Sequence, residues 1–128
     1  MFVIYIFGGI VAIFILLQFS LRVAMKFKKG KPAPHLNGKA GSVIKSGKKA
    51  LFYFYSPQCG ACRAMTPVVK TMAGRNKNIF PINIAEDMET ARKFGVMGTP
   101  STVLVESGKI RDFIMGPKSE TEIAALMG

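Results

Sequence analysis

The sequence predicts an α/β domain, a mixed sheet flanked by helices, preceded by one N-terminal transmembrane helix. Three observations carry that reading. The first residues form an unbroken apolar run that ends at Arg22. After it the hydropathy pattern breaks into short strand-like blocks that alternate with stretches of helical spacing. At 128 residues, 49% hydrophobic and 20% charged, the chain has the length and apolar content of one folded domain, and no long internal period repeats.

From Met1 to Leu21 only Gln18 and Ser20 interrupt the apolar character. About 20 such residues, at about 1.5 Å each in a helix, match a ~30 Å hydrocarbon core. No Lys or Arg precedes the run and no small-x-small cleavage site is plain, so residues 1–21 read as an uncleaved span rather than a secretory signal. Residues 1–26 are therefore assigned as anchor and basic flank, 27–34 as a polar connector carrying Pro32 and Pro34, and 35–128 as the globular domain.

Charge is unevenly placed. The total is +11, from 18 Lys and Arg against 7 Asp and Glu, yet all seven acids lie beyond residue 85. Arg22, Lys26, Lys28, Lys29 and Lys31 follow the span and no cation precedes it, so the positive-inside rule places the domain in the cytoplasm at the cell membrane. No interleaved aromatic and basic stripe accompanies the excess, and no nucleic-acid partner is expected.

Each element has a local reason. Ala50 to Tyr55 is a continuous apolar and aromatic run bounded by Lys49 and Ser56-Pro57, which suits a strand buried on both faces. Cys59 to Ala73 has helical spacing, with Met65, Val68, Val69 and Met72 on one side, Pro67 as a kink and Gly74 as a stop. Ile79 to Ile84 is a second short strand, and Met88 to Phe94 a short helix ended by Gly95. Ser101 to Val105, the Ser107-Gly108 turn and Lys109 to Ile114 form a hairpin. Ser119 and Glu122 make a capping box that opens the last helix. Before the first strand there is room for a strand near His35 to Asn37 and a small helix near Ala40 to Lys45.

Both cysteines fall where the first buried strand meets its helix, as Cys59-Gly60-Ala61-Cys62. Unsatisfied N–H groups and the dipole at a helix start stabilise a thiolate, the nucleophile of disulfide exchange, and Arg63 adds positive charge. Two intervening residues let the second sulfur reach the first and resolve a mixed disulfide. Two cysteines and one histidine are too few for a four-ligand zinc site within one chain, so no metal is expected, and His35 reads as an ordinary residue.

The run Phe54 to Arg63, continuing through Pro67, resembles the active-site strand and helix of the thioredoxin family. Gly95-Val96-Met97-Gly98-Thr99-Pro100 resembles that family's cis-proline loop. The resemblance implies a thioredoxin-like sheet for residues 35–128, a protein-disulfide oxidoreductase with Cys59 and Cys62 catalytic, and a substrate chain held by Gly60, Ala61, Thr99 and Pro100. Its partners would be protein thiols and disulfides and a separate redox partner, with the electrons carried by the dithiol itself and no cofactor. Cytoplasmic placement implies a reductant. The sequence departs from the family at Tyr53, which stands at the place of a buried aspartate, at Pro81, which stands near its partner lysine, and at Gln58 and Ala61 within the motif. A different reading is a thioredoxin-like binding or redox-sensing module that recruits an acidic partner at the membrane without turnover.

Overall fold

A computed structural model describes the backbone of residues 1–128 and the side chains of all but 25–28. Two of the bases of the flank, Lys26 and Lys28, thus lie outside the described side chains. The first helix, α1, spans Phe2–Lys28, and its stretch Phe2–Ala24 has a mean hydropathy of 2.5 with none of it buried against the rest of the chain. An apolar helix of this length is long enough to cross a membrane.

The remaining elements are α2 (Gly38–Lys45), β1 (Ala50–Tyr55), α3 (Cys62–Arg75), β2 (Ile79–Asn83), α4 (Met88–Phe94), β3 (Ser101–Glu106), β4 (Lys109–Met115) and α5 (Glu120–Met127). The sheet order is β2-β1-β3-β4. β1 is parallel to β2 and antiparallel to β3, and β3 is antiparallel to β4. Alternate residues of the central strand therefore feed two cores. Phe52 and Phe54 pack with Leu36, Ile44, Ala91 and Phe94 under α2 and α4. Leu51 and Tyr53 pack with Met65, Val69 and Ile123 under α3 and α5. A strand covered on both faces must be apolar throughout, which is why ALFYFY reads as one continuous run.

The expected strand at His35 to Asn37 does not form. The edge it would have joined is poor at pairing. Leu51 N–H donates to the Asn78 carbonyl and Ile84 N–H to the Tyr55 carbonyl, so the even-numbered residues of β2 bond to β1 and the odd-numbered ones face outward. Of those, Ile79 N–H is taken by the Asn76 carbonyl at 3.2 Å, and Pro81 has no donor to offer. Proline at such a position blunts a free edge. The His35 carbonyl instead accepts from Lys93 Nζ at 3.3 Å.

The opposite edge is covered by the connector. Gly30 N–H donates to the Ile110 carbonyl (2.7 Å), Ile110 N–H to the Lys31 carbonyl (2.8 Å) and Ala33 N–H to the Gly108 carbonyl (2.8 Å). Pro32 thus bridges Lys109 in antiparallel fashion, and Lys29 Nζ lies 3.0 Å from Asp112.

Helix ends follow their local chemistry. Gly95 closes α4 with φ 69°, a left-handed conformation that glycine adopts without strain. Gly41, buried in α2, lies so close to the Leu36 carbonyl that any Cβ would collide with it. In α5 the Ser119 side chain accepts from Glu122 N–H while the Glu122 carboxylate accepts from Ser119 N–H at 2.8 Å, and that bond holds Glu122 below the usual carboxylate range. Ser119→Ala is expected to cost about 1 kcal/mol, the usual worth of a cap, measured by denaturant unfolding.

Candidate active site

Cys59 and Cys62 are joined in a disulfide, with their Cα atoms 5.2 Å apart. The helix expected from Cys59 begins three residues later. Cys59 N–H is spent on a turn to the Ser56 carbonyl (3.1 Å), Gly60 and Ala61 form a second turn closed by Arg63 N–H on the Gly60 carbonyl (3.3 Å), and α3 starts at Cys62. At its other end α3 runs through Gly74 to Arg75, since one glycine costs only about 1 kcal/mol in a helix.

That shift places the Cys59 sulfur in front of the helix rather than inside it. The preceding residue Ala61 has no side chain able to cap the first turn, and the Cys62 N–H, one of the donors a helix start leaves unsatisfied, lies 3.2 Å from Cys59 Sγ. The sulfur occupies the acceptor's place. In the reduced protein the same donor and the helix dipole favour the Cys59 thiolate. Exposure divides the pair: Cys59 is half-buried while Cys62 is 1% exposed, and Gly60 and Ala61 between them are exposed. Only Cys59 presents sulfur to an incoming disulfide.

The Gly95–Pro100 loop meets this end of the sheet through β3, whose first residue Ser101 pairs with Phe54 near the end of β1. The Thr99–Pro100 peptide bond is cis, and the buried Pro100 accepts at its carbonyl from Gly116 N–H at 2.9 Å. Met97 in the same loop is 66% exposed, an apolar side chain left in solvent at the dithiol end, and it carries no signal of its own in the sequence.

Beside the buried cysteine opens a groove of about 540 Å³, lined by Tyr55, Cys62, Arg63, Thr66, Lys70 and Glu86 among others. Lys70 Nζ sits 5.2 Å from the centroid of the Tyr55 ring. Thr66 and Lys70 follow Cys62 at four-residue steps, the spacing of one helix face, so their place beside it is readable once the helix is accepted. Under the groove Tyr53, fully buried, shares a 2.9 Å hydrogen bond between its hydroxyl and that of Thr66. Facing it across the β1–β3 pair, the buried Thr102 hydroxyl has no partner among the described residues. A neutral phenol thus fills the position where the family resemblance calls for an acid. No group of metal-ligating side chains is found among the described residues.

Burial raises the Tyr53 pKa above 10.0 despite the bond from Thr66. Above pH 10 the unfolded chain loses this proton while the folded chain keeps it. The contribution to stability is fully present below that pH and is lost as pH rises through the folded value. Wild type should therefore lose more stability than Tyr53→Phe between about pH 9 and 11 in denaturant titrations. At neutral pH the variant should be weaker by about 1 kcal/mol, for one hydrogen bond.

The thioredoxin family sequence profile matches residues 35–128. Thioredoxin 2 of Chlorobaculum tepidum is 29% identical over 85 residues, covering 64% of this chain and 78% of that protein. The thioredoxin of Alicyclobacillus acidocaldarius is 31% identical over 85 residues, with 62% and 81% covered. Among solved structures, a point mutant of thioredoxin from Halobacterium salinarum NRC-1 superposes with a TM-score of 0.59 at 26% identity, covering 76% of this chain and 90% of that one. With a dithiol at the mouth of α3, a cis-proline loop at the same end of the sheet and a profile match over residues 35–128, the chain belongs to the thioredoxin family of disulfide oxidoreductases.

Proposed function

We propose that this protein is a membrane-anchored thiol-disulfide oxidoreductase that reduces protein disulfides through Cys59 and Cys62. The observation that carries the reading is the asymmetry of the pair: a half-exposed Cys59 sulfur held 3.2 Å from a helix-start N–H, backed by a buried Cys62. In the reduced enzyme the Cys59 thiolate attacks one sulfur of a substrate disulfide. A Cys59–substrate bond forms, and the other substrate sulfur leaves as a thiolate that takes up a proton. Cys62 then gives up its proton and attacks Cys59 Sγ, releasing the second substrate thiol. Two electrons have passed to the substrate, and the Cys59–Cys62 disulfide is the product state. A second dithiol donor, the unidentified redox partner, returns the pair to its reduced form.

Gly60 and Ala61 leave the approach to Cys59 unobstructed, since both are small and exposed. Thr99 and Pro100 lie at the start of β3, where an extended substrate segment would run past the dithiol and pair with the loop backbone. Arg63 and Lys70 lend positive charge to the groove beside Cys62 and would favour substrates with acidic flanks.

The anchor is α1. Its apolar stretch and the bases that follow it support a single-pass span with the domain on the cytoplasmic side. Full-length protein should stay with the membrane after alkaline extraction. A cysteine added beyond Met127, in a variant lacking Cys59 and Cys62, should resist an impermeant maleimide until the membrane is opened. Turnover is tested with full-length protein in detergent: dithiothreitol-driven insulin reduction should be accelerated, whereas a module without turnover would leave the rate at that of dithiothreitol alone.

A further inference from the structure

Lysines gather at one end of the domain, the end where Pro32 and Ala33 of the connector lie beside Lys109 and Gly108. The dithiol sits at the finish of β1, and the start of β1, the β3–β4 turn and the finish of α3 lie at the far end. Lys48 and Lys49 precede β1, Lys45 closes α2, Lys77 precedes β2 and Lys109 opens β4. The Ser107 N–H donates to the Gly47 carbonyl at 3.1 Å, tying the loop that carries Lys48 to the turn that carries Lys109. Lys39 and Lys77 line one hollow of about 570 Å³ with Ser42 and Asn78, two cations and two hydrogen-bonding side chains around a space large enough for a phosphate group.

Most acids are placed elsewhere. Glu86, Asp87 and Glu89 follow the upper end of β2, Glu120 and Glu122 open α5, and Asp112 is paired with Lys29. Near the lysine-rich end Glu106 is engaged by Arg111 at 3.6 Å, and Glu120 shares a hollow with Arg75 at the finish of α3. Attraction of any anionic surface is therefore one-sided.

The connector runs antiparallel to β4, from Ala33 beside Gly108 to Lys29 beside Asp112, and limits how far the domain stands from the bilayer. Gly30 is hydrogen-bonded to Ile110, and the apolar stretch of α1 ends at Ala24, so the six intervening steps span at most roughly 20 Å even if fully extended. Helix through Lys28 shortens this further. With the helical part counted, Gly30 lies within about two Debye lengths of the bilayer, about 8 Å each at physiological salt.

We infer that the end of the domain opposite the dithiol rests on anionic lipid headgroups, with Lys45, Lys48, Lys49, Lys77 and Lys109 as the contact and the Lys39–Lys77 hollow as a headgroup notch. This rests on the reading of α1 as a membrane span. It has a functional consequence: the dithiol is turned away from the bilayer, toward protein substrates in the surrounding solution.

The test uses full-length protein reconstituted in vesicles of phosphatidylcholine alone or with phosphatidylglycerol. Lysines are acetylated with an impermeant amine reagent and read by mass spectrometry, each rate divided by that of Lys118 in the same molecules. Lys48, Lys77 and Lys109 should react severalfold more slowly in the anionic vesicles, and should recover near 1 M salt, where the Debye length falls to about 3 Å. The triple variant Lys48→Gln, Lys49→Gln and Lys77→Gln should remove the lipid dependence at Lys45 and Lys109. Equal relative rates in both vesicle types, with the protein floating with both, would overturn the inference alone and leave this face to an acidic protein. Protein that floats with neither would overturn the anchor, and the inference with it.

Discussion

Cys59→Ser is expected to lower insulin reduction at least about 10³-fold, to the rate of dithiothreitol alone, because it deletes the attacking sulfur. A hydroxyl at the same place is a far weaker nucleophile and has no thiolate to offer the Cys62 N–H. Cys62→Ser should fail differently. Cys59 still attacks, but nothing within reach can resolve the adduct, so a covalent enzyme–substrate disulfide should accumulate and be visible by mass spectrometry under non-reducing conditions. The contrast depends on the burial difference between the two sulfurs. If the roles were interchangeable, both variants would trap substrate equally. If the pair were merely structural, both would lose stability and neither would trap anything.

The dithiol can be found from the sequence because its placement is a local property. A buried strand that ends in Ser56-Pro57 and a helix that begins a few residues later leave no choice about where Cys59 and Cys62 lie. The same holds for α4, whose stop at Gly95 is set by one left-handed residue, and for α5, whose start is set by two side chains that bond each other. Such signals act over three or four residues, and sequence carries them well.

Edge pairing is much less legible. Nothing in the pattern of residues 29–33 says that they will lie along β4, since their partners are Gly108 and Ile110, far along the chain, and the contact is made by backbone groups that every residue possesses. His35 to Asn37 fails as a strand for a reason written at Pro81, again distant in sequence. The helix starts at Cys62 rather than Cys59, and hydrophobic periodicity cannot tell the two apart because it marks which face is buried and not which N–H is spent on the preceding turn. Tyr53 stands out in the sequence as a departure from the family pattern, but its partner Thr66 becomes visible only with the two elements packed together.

The largest loss of stability should come from Phe52→Ala. Phe52 is fully buried at the centre of β1, stacked on Phe80 with ring centroids 5.2 Å apart and tilted against Phe94 at 4.8 Å. Both neighbours are anchored in elements of their own, β2 and α4, so the surroundings cannot close over the vacated space. Truncating a buried Phe costs about 3–5 kcal/mol from lost transfer energy and the residual cavity. In a domain of this size that lowers the melting temperature by on the order of 20 °C. Near-UV circular dichroism is a suitable probe, because Tyr53 and Tyr55 stack at 5.6 Å on the other face of the same strand and would lose their fixed geometry with the fold. Well below the new midpoint, insulin reduction should survive, since Phe52 faces the α2 and α4 side and the dithiol is built on α3. Phe52→Leu, which refills most of the volume, should recover much of the loss. Should Phe52→Ala unfold no earlier than wild type, β1 would not be the strand around which both cores are assembled, and the positioning of Cys59 by that strand would have to be abandoned.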